Sequence, residues 1–222
     1  MSESTSPSAT IDWPTWEGRF QRFLDERPDA TDSAHDLGHI RRVLSTAKRL
    51  AAHEQARLEV VVPAAWLHDC VTLPKNSPDR ASASTMAADA ASAFLEASSY
   101  PAVELPAIHH AIAAHSFSAG IPPETVEARV VQDADRLDAL GAVGIARCMM
   151  VGGDLGLALH HPDEPVPTTR QPDDGRFIVD HFFVKLLRLV DTMQTAAGRA
   201  EAERRSRFMR EYLRRLEHEI GG

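Results

Sequence analysis

Apolar positions along this chain recur every three to four residues, and nowhere do they alternate over a useful length. That period predicts helices and no strands. Trp16, Phe20, Phe23 and Leu24 form one stripe, opened by Pro14 and stopped by Pro28. A second helix is expected from about Asp36 to His53, with Ile40, Val43, Leu44, Ala47 and Leu50 turned inward. A third runs from about Leu58 to Cys70. The segment Val71 to Arg80 contains Pro74 and Pro78 and reads as a loop. Ala81 to Ala97 is rich in Ala and Ser, with Met86, Phe94 and Leu95 as its expected core face. Leu105 to Phe117 and Thr125 to Met150 are further helices, the latter expected to break near Gly141 or Gly144. Gly152 to Gly175 has scattered Gly and Pro and little periodicity, so it is the longest loop, functional or mobile. Phe177 to Thr195 and Ala196 to Ile220 close the chain as helices, and the mixed Glu/Arg pattern of the last reads as a solvated face.

Composition agrees with an all-α protein. Hydrophobic residues are 43% of the 222, aromatics only 6%, and Ala, Leu and Val carry the apolar content. The expected organisation is a disordered tail over residues 1–11 and one compact helical domain over residues 12–222. A net charge of −8 argues against nucleic acid as a partner, which needs a basic face. A small anionic substrate stays compatible, because a metal and a few cations can dominate one pocket. Cys70 and Cys148 are too few for a disulfide framework. The first residues carry neither a basic nor an apolar stretch of signal type, and no apolar run reaches the roughly 18 residues of a membrane span. A soluble, cytoplasmic monomer or homodimer is expected.

The chemistry-bearing residues fall in separate helical segments. His68-Asp69 ends the apolar run Val60–Leu67, where a carboxylate is costly unless it is paired or metal-bound. His39 precedes Val43 by one helical turn and sits at the edge of a core face. Asp133, Asp135 and Asp138 lie within two turns, and Asp135 and Asp138 share a face. Two imidazoles and two carboxylates converging from different helices would make a mixed N/O cage for a divalent cation. Taken singly, each also fits a plainer role: a loop-capping His-Asp pair, a core histidine, an acidic surface turn. His35 and Asp36 look like helix-start residues. His109, His110 and His115 form a second imidazole group. Lys75, Asn76 and Arg80, just beyond Asp69, offer donors for phosphate, as do His181 and Lys185, four apart in a helical segment.

The order His, His-Asp, Asp resembles the HD-domain superfamily of metal-dependent phosphohydrolases. The matching segments are His39-Ile40-Arg41-Arg42-Val43, Ala65-Trp66-Leu67-His68-Asp69 and Gln132-Asp133-Ala134-Asp135-Arg136-Leu137. Likeness to small bacterial members thought to act on nucleotides extends to Leu73–Pro78, Ala114–Ser118 and Asp180–Leu187. The resemblance implies a compact helical HD fold, with His39, His68, Asp69 and Asp135 as ligands to one divalent metal: Mn, Ni, Co, Fe, Zn or Mg. Asp135 is chosen over its neighbours because the family aspartate precedes an arginine. Asp138 becomes a substrate contact or a support for the ligands, and Asp69 and His115 the catalytic groups. The implied reaction is hydrolysis of a phosphoester or phosphoanhydride, of pyrophosphohydrolase or nucleotidase type. The implied substrate is a small phosphorylated molecule of the nucleotide class. A di-iron oxygenase and a non-catalytic nucleotide-binding module are the alternatives.

Overall fold

The structure, a computed structural model, describes residues 11–27, 37–73, 77 and 79–221. The expected tail, apart from Ile11, lies outside them, as do His35, Asp36, Lys75 and Asn76. Among the described residues there are nine α-helices and no named strand: α1 Trp13–Asp25, α2 Leu37–Glu54, α3 Leu58–Leu67, α4 Ala83–Ala97, α5 Leu105–Ala113, α6 Val126–Asp138, α7 Gly141–Asp154, α8 Asp180–Val184 and α9 Ala196–Gly221. The all-α reading holds.

Helix α3 is the centre of the fold. Every residue from Val60 to Leu67 is buried, so it is apolar all round and is enclosed by α1, α2, α5 and α6. Pro63 lies inside it and offers no N–H to the carbonyl of Glu59. That carbonyl instead accepts from the Tyr100 hydroxyl at 2.6 Å. Helix α2 packs along α6, and its buried His39, Ile40, Val43, Leu44, Ala47, Leu50 and Ala51 follow the expected stripe. Helix α4 differs in detail: Met86 is exposed, and Ala87, Ala88, Ala91 and Leu95 form the buried face. Small side chains let α4 lie close along α5.

The expected break in the Thr125 to Met150 segment is real. Thr125 caps α6 by accepting from the Ala128 amide, and α6 ends at Asp138. The chain reverses through Gly141, whose φ of +74° favours glycine. A Cβ on Gly144 would stand 2.2 Å from the Ala139 carbonyl oxygen, so α7 passes tightly over the turn. Helix α7 continues to Asp154, past the expected start of the long loop.

Two expectations are corrected. The single helix from Phe177 to Thr195 is α8 followed by a 3-10 segment, Leu186–Thr192. Lys185, at φ −130°, breaks the run. A three-residue period then puts Leu186 and Leu189 on one buried side. Arg136 pins the end of this segment by donating to the Thr192 carbonyl at 2.6 Å. The long loop is tied down rather than loose. Ala158 and Phe177 form a bridge, and fully buried Asp180 pairs with both terminal nitrogens of Arg170 and accepts from the Asp173 amide.

Candidate metal centre

Two helix ends and one helix face bring the predicted ligands together. His39 comes from the first turn of α2, His68 and Asp69 from the turn after α3, and Asp135 from α6. His39 Nε2 lies 3.3 Å from His68 Nε2, 3.7 Å from Asp69 Oδ2 and 3.5 Å from Asp135 Oδ1. His68 Nε2 lies 3.4 Å from Asp69 Oδ2 and 3.9 Å from Asp135 Oδ1. The imidazoles are buried and the carboxylates partly exposed, so the cluster is walled by nitrogen and opens past oxygen.

The histidine tautomers follow from their other nitrogens. His68 Nδ1 lies 3.0 Å from the Ala65 carbonyl, one of the unpaired acceptors at the end of α3. A carbonyl only accepts, so Nδ1 carries the proton and Nε2 keeps its lone pair. His115 repeats this beyond α5, with Nδ1 2.6 Å from the Ile112 carbonyl. His39 Nδ1 meets Asp138 Oδ2 at 2.8 Å with the same consequence. Burial pulls the pKa of His68 down to about 4, so it is neutral and able to ligate at neutral pH.

The donor set fits a divalent cation. Two imidazole lone pairs and two carboxylate oxygens face one point, and both histidines are oriented by acceptors behind them, as in metal-binding imidazoles generally. His39, His68 and Asp135 have ligand atoms within 4.8 Å of one another, as do His68, Asp69 and His115. Asp69 joins the two groups: Oδ2 faces His39 and His68, and Oδ1 lies 3.4 Å from His115 Nε2. Burial works to lower the pKa of His115, but the hydrogen bond and charge of Asp69 override it and the pKa is raised.

The three aspartates of α6 do separate jobs. Asp133 is fully buried and accepts from the Gln194 and Thr195 amides, both at 2.8 Å, and from the Thr195 hydroxyl at 2.7 Å. It seats the start of α9. A Cβ on Gly198 would fall 2.3 Å from Asp133 Oδ2, which is why glycine stands there. Asp135 faces the histidines. Asp138 lies behind His39, at Nδ1 rather than Nε2, and pairs with Arg42 and Arg147; its pKa is lowered: burial opposes this, but His39 and the arginines prevail.

Several other candidate residues make contacts outside the cluster. Arg80 is half-buried and donates to the Leu73 carbonyl at 3.1 Å, bracing the loop after Asp69. His181 pairs with Asp174 at 2.9 Å, and Lys185 sits exposed at the break after α8, not on a continuous helix with His181. His109 pairs with Asp89, and His110 accepts from the Glu124 amide. Arg147 was not foreseen. It lies nine residues beyond Asp138 on the next helix, a separation with no helical periodicity to reveal it.

An all-helical protein with a His/His-Asp/Asp cluster between helix ends is thus defined by fold and site. A model of the HD domain matches residues 36–140. Bacillus subtilis YpgQ is 36% identical over 194 residues, 86% of each chain. The crystal structure of YpgQ in complex with ADP superposes with a TM-score of 0.69, at 35% identity, covering 93% of this chain and 98% of that one. An HD-superfamily hydrolase from Bacillus thuringiensis does so at 0.69 and 32% identity, covering 91% and 95%. The chain belongs to the HD-domain superfamily, a superfamily of hydrolases.

Proposed function

We propose that this protein hydrolyses a phosphoanhydride or phosphoester bond of a nucleotide, with one divalent cation held by His39, His68, Asp69 and Asp135. The observation that carries this reading is the convergence of two lone-pair Nε2 atoms and two carboxylate oxygens on one point. The ADP complex of YpgQ supports a nucleotide as ligand.

When bound, the cation supplies Lewis acidity toward a phosphate oxygen and lowers the pKa of water. The protein's own groups do the rest. Buried His39 and His68 wall off one side of the site and keep bulk water from it. Asp69 reaches both the cation site and His115, so a proton gained at His115 Nε2 is stabilised by Asp69 Oδ1. His115 is held for that work by the Ile112 carbonyl. Its turn is held by Gln132, which donates to the Ala114 carbonyl at 2.7 Å. Arg80, which follows Asp69 in the chain, is a proposed phosphate donor, as are Lys75 and Asn76 of the same sequence segment, His181 and Lys185.

The test is turnover of nucleoside mono-, di- and triphosphates by the Mn²⁺-loaded protein, with phosphate, pyrophosphate and tripolyphosphate resolved and bound metal counted. Hydrolysis that Asp69→Ala abolishes is expected. A stoichiometric metal with no turnover of any nucleotide would overturn the substrate class, and full activity in Asp69→Ala would overturn the site.

A further inference from the structure

Asp138 is filled on all sides. Its Oδ1 accepts from Arg42 Nε at 2.7 Å. Its Oδ2 accepts from Arg42 Nη2 at 3.0 Å, Arg147 Nη1 at 2.5 Å and His39 Nδ1 at 2.8 Å. Three donors crowd Oδ2, which has two lone-pair sites, and the fourth meets Oδ1, so the carboxylate is turned to donors of the protein itself. The residue is also almost wholly buried. The donors come from different elements. His39 and Arg42 are three apart on α2 and share a face, Asp138 is the last residue of α6, and Arg147 stands on α7.

We infer that Asp138, clamped by Arg42 and Arg147, is a positioning residue that fixes the ring and tautomer of His39 and so sets the affinity of the cation site. The inference rests on the ligand reading above. The chemistry is directional. An ionised carboxylate only accepts, so a contact of 2.8 Å requires the proton on His39 Nδ1 and frees Nε2 for the cation. Arg147 Nη1 stands 3.2 Å from the same Nδ1 and 2.5 Å from Asp138 Oδ2. It closes over the pair, donates to the carboxylate and bars the ring from rotating away. If Asp138 were absent, that guanidinium N–H would still stand within hydrogen-bond distance of Nδ1. It would then draw the Nδ1 lone pair and move the proton to Nε2, the atom the cation needs.

The fold makes the clamp possible at one place. Gly141 reverses the chain with φ +74°, and Gly144 lets α7 pass the Ala139 carbonyl. Arg147 is thereby returned to a residue nine positions earlier. The position of α7 is thus linked to a ligand on α2 through one carboxylate.

The test uses the full-length protein in two readouts. One is Mn²⁺ affinity by calorimetry. The other is the tautomer of His39 in the metal-free protein, read from ¹⁵N-imidazole NMR and assigned with His39→Gln. Wild type is expected to show a protonated Nδ1. Asp138→Asn is expected to lower Mn²⁺ affinity by about 10–100-fold, the usual effect of losing such a partner, and to shift His39 away from that tautomer. Arg147→Gln, at a partly exposed position, is expected to give a smaller loss with the same spectral direction, and Arg147→Lys to restore part of it. It also carries the test if Asp138→Asn does not fold. Wild-type affinity and an unchanged His39 spectrum in both variants would overturn the clamp. So would lost affinity with the His39 tautomer intact. Asp135→Ala is the control for the ligand reading: if it binds Mn²⁺ like wild type, that reading fails, whereas if it does not bind and the clamp variants do, only the clamp fails.

Discussion

Asp133 and Asp135, two residues apart on α6, are expected to separate stability from metal binding when each is replaced by Ala. Asp133 accepts two backbone N–H groups and one hydroxyl at 2.7–2.8 Å in a fully buried position. A buried donor left unpaired costs about 1–3 kcal/mol, so three of them put the gross loss at roughly 3–9 kcal/mol, toward the lower end because the Gln194 amide is only part-buried. Burying the carboxylate itself carries a penalty, visible in its raised pKa, which brings the expected net loss to about 3 kcal/mol. For a chain of this size that lowers Tm by roughly 6–12 °C. Asp135 is 29% exposed and faces the imidazoles of His39 and His68. Its removal is expected to change stability by less than about 1 kcal/mol in chelator, in the range of solvent-accessible ion pairs. With Mn²⁺ at a hundred times Kd the wild type gains about 2.7 kcal/mol. Asp133→Ala is expected to keep that gain and Asp135→Ala to lose it. Urea unfolding in EDTA and in Mn²⁺, with calorimetry of metal binding, reads both quantities. An Asp133→Ala protein as stable as wild type in EDTA, or an Asp135→Ala protein with the full Mn²⁺ gain, would refute the division of labour.

Three further outcomes are expected. Tyr100→Phe leaves the Glu59 carbonyl, already deprived of a helical donor by Pro63, without the hydroxyl it accepts from. A loss of about 1–2 kcal/mol in urea unfolding, with Mn²⁺ affinity unchanged, is expected. Cys70 is buried and its thiol pKa is pushed up to about 12, chiefly by burial. A thiol reagent is therefore expected to modify half-buried Cys148 in the folded protein and Cys70 only on unfolding, as peptide mapping will report. Glu127 is buried and its pKa is lowered: burial opposes this, but hydrogen bonds from backbone amides and the Arg57 guanidinium prevail. A depressed folded pKa stabilises above the usual value of 4.5, and that contribution disappears as pH falls through the folded pKa. Glu127→Gln is thus expected to be less stable than wild type near neutral pH, with the difference shrinking in acid.

Much was legible in the sequence because helical periodicity is a local property. The stripes at Phe20–Leu24 and Ile40–Ala51, the helix start at Thr125 and the break at Gly141 follow from side-chain spacing and backbone freedom alone. So did the residue types of the site, since a His-Asp pair ending an apolar helix needs a partner wherever the helix goes. The orientation of His68 was equally local, because its Nδ1 acceptor lies three residues back.

Spacing left the three carboxylates of α6 alike, the family resemblance singled out Asp135, and tertiary structure alone decided the partners of each. Asp133, Asp135 and Asp138 are the same chemistry within six residues, and the packing of α9, the turn after α3, and α7 sets one at a helix start, one facing His39 and His68, and one behind the His39 imidazole with Arg42 and Arg147. The broken α8 segment was hidden for a related reason. Its end is held by Arg136, 56 residues away in sequence, donating to the Thr192 carbonyl, and no local pattern records a hydrogen bond made across the fold. Arg147 was invisible in the same way. Its role arises where three helices meet, and a contact between helices is a property of their packing, not of either sequence stretch.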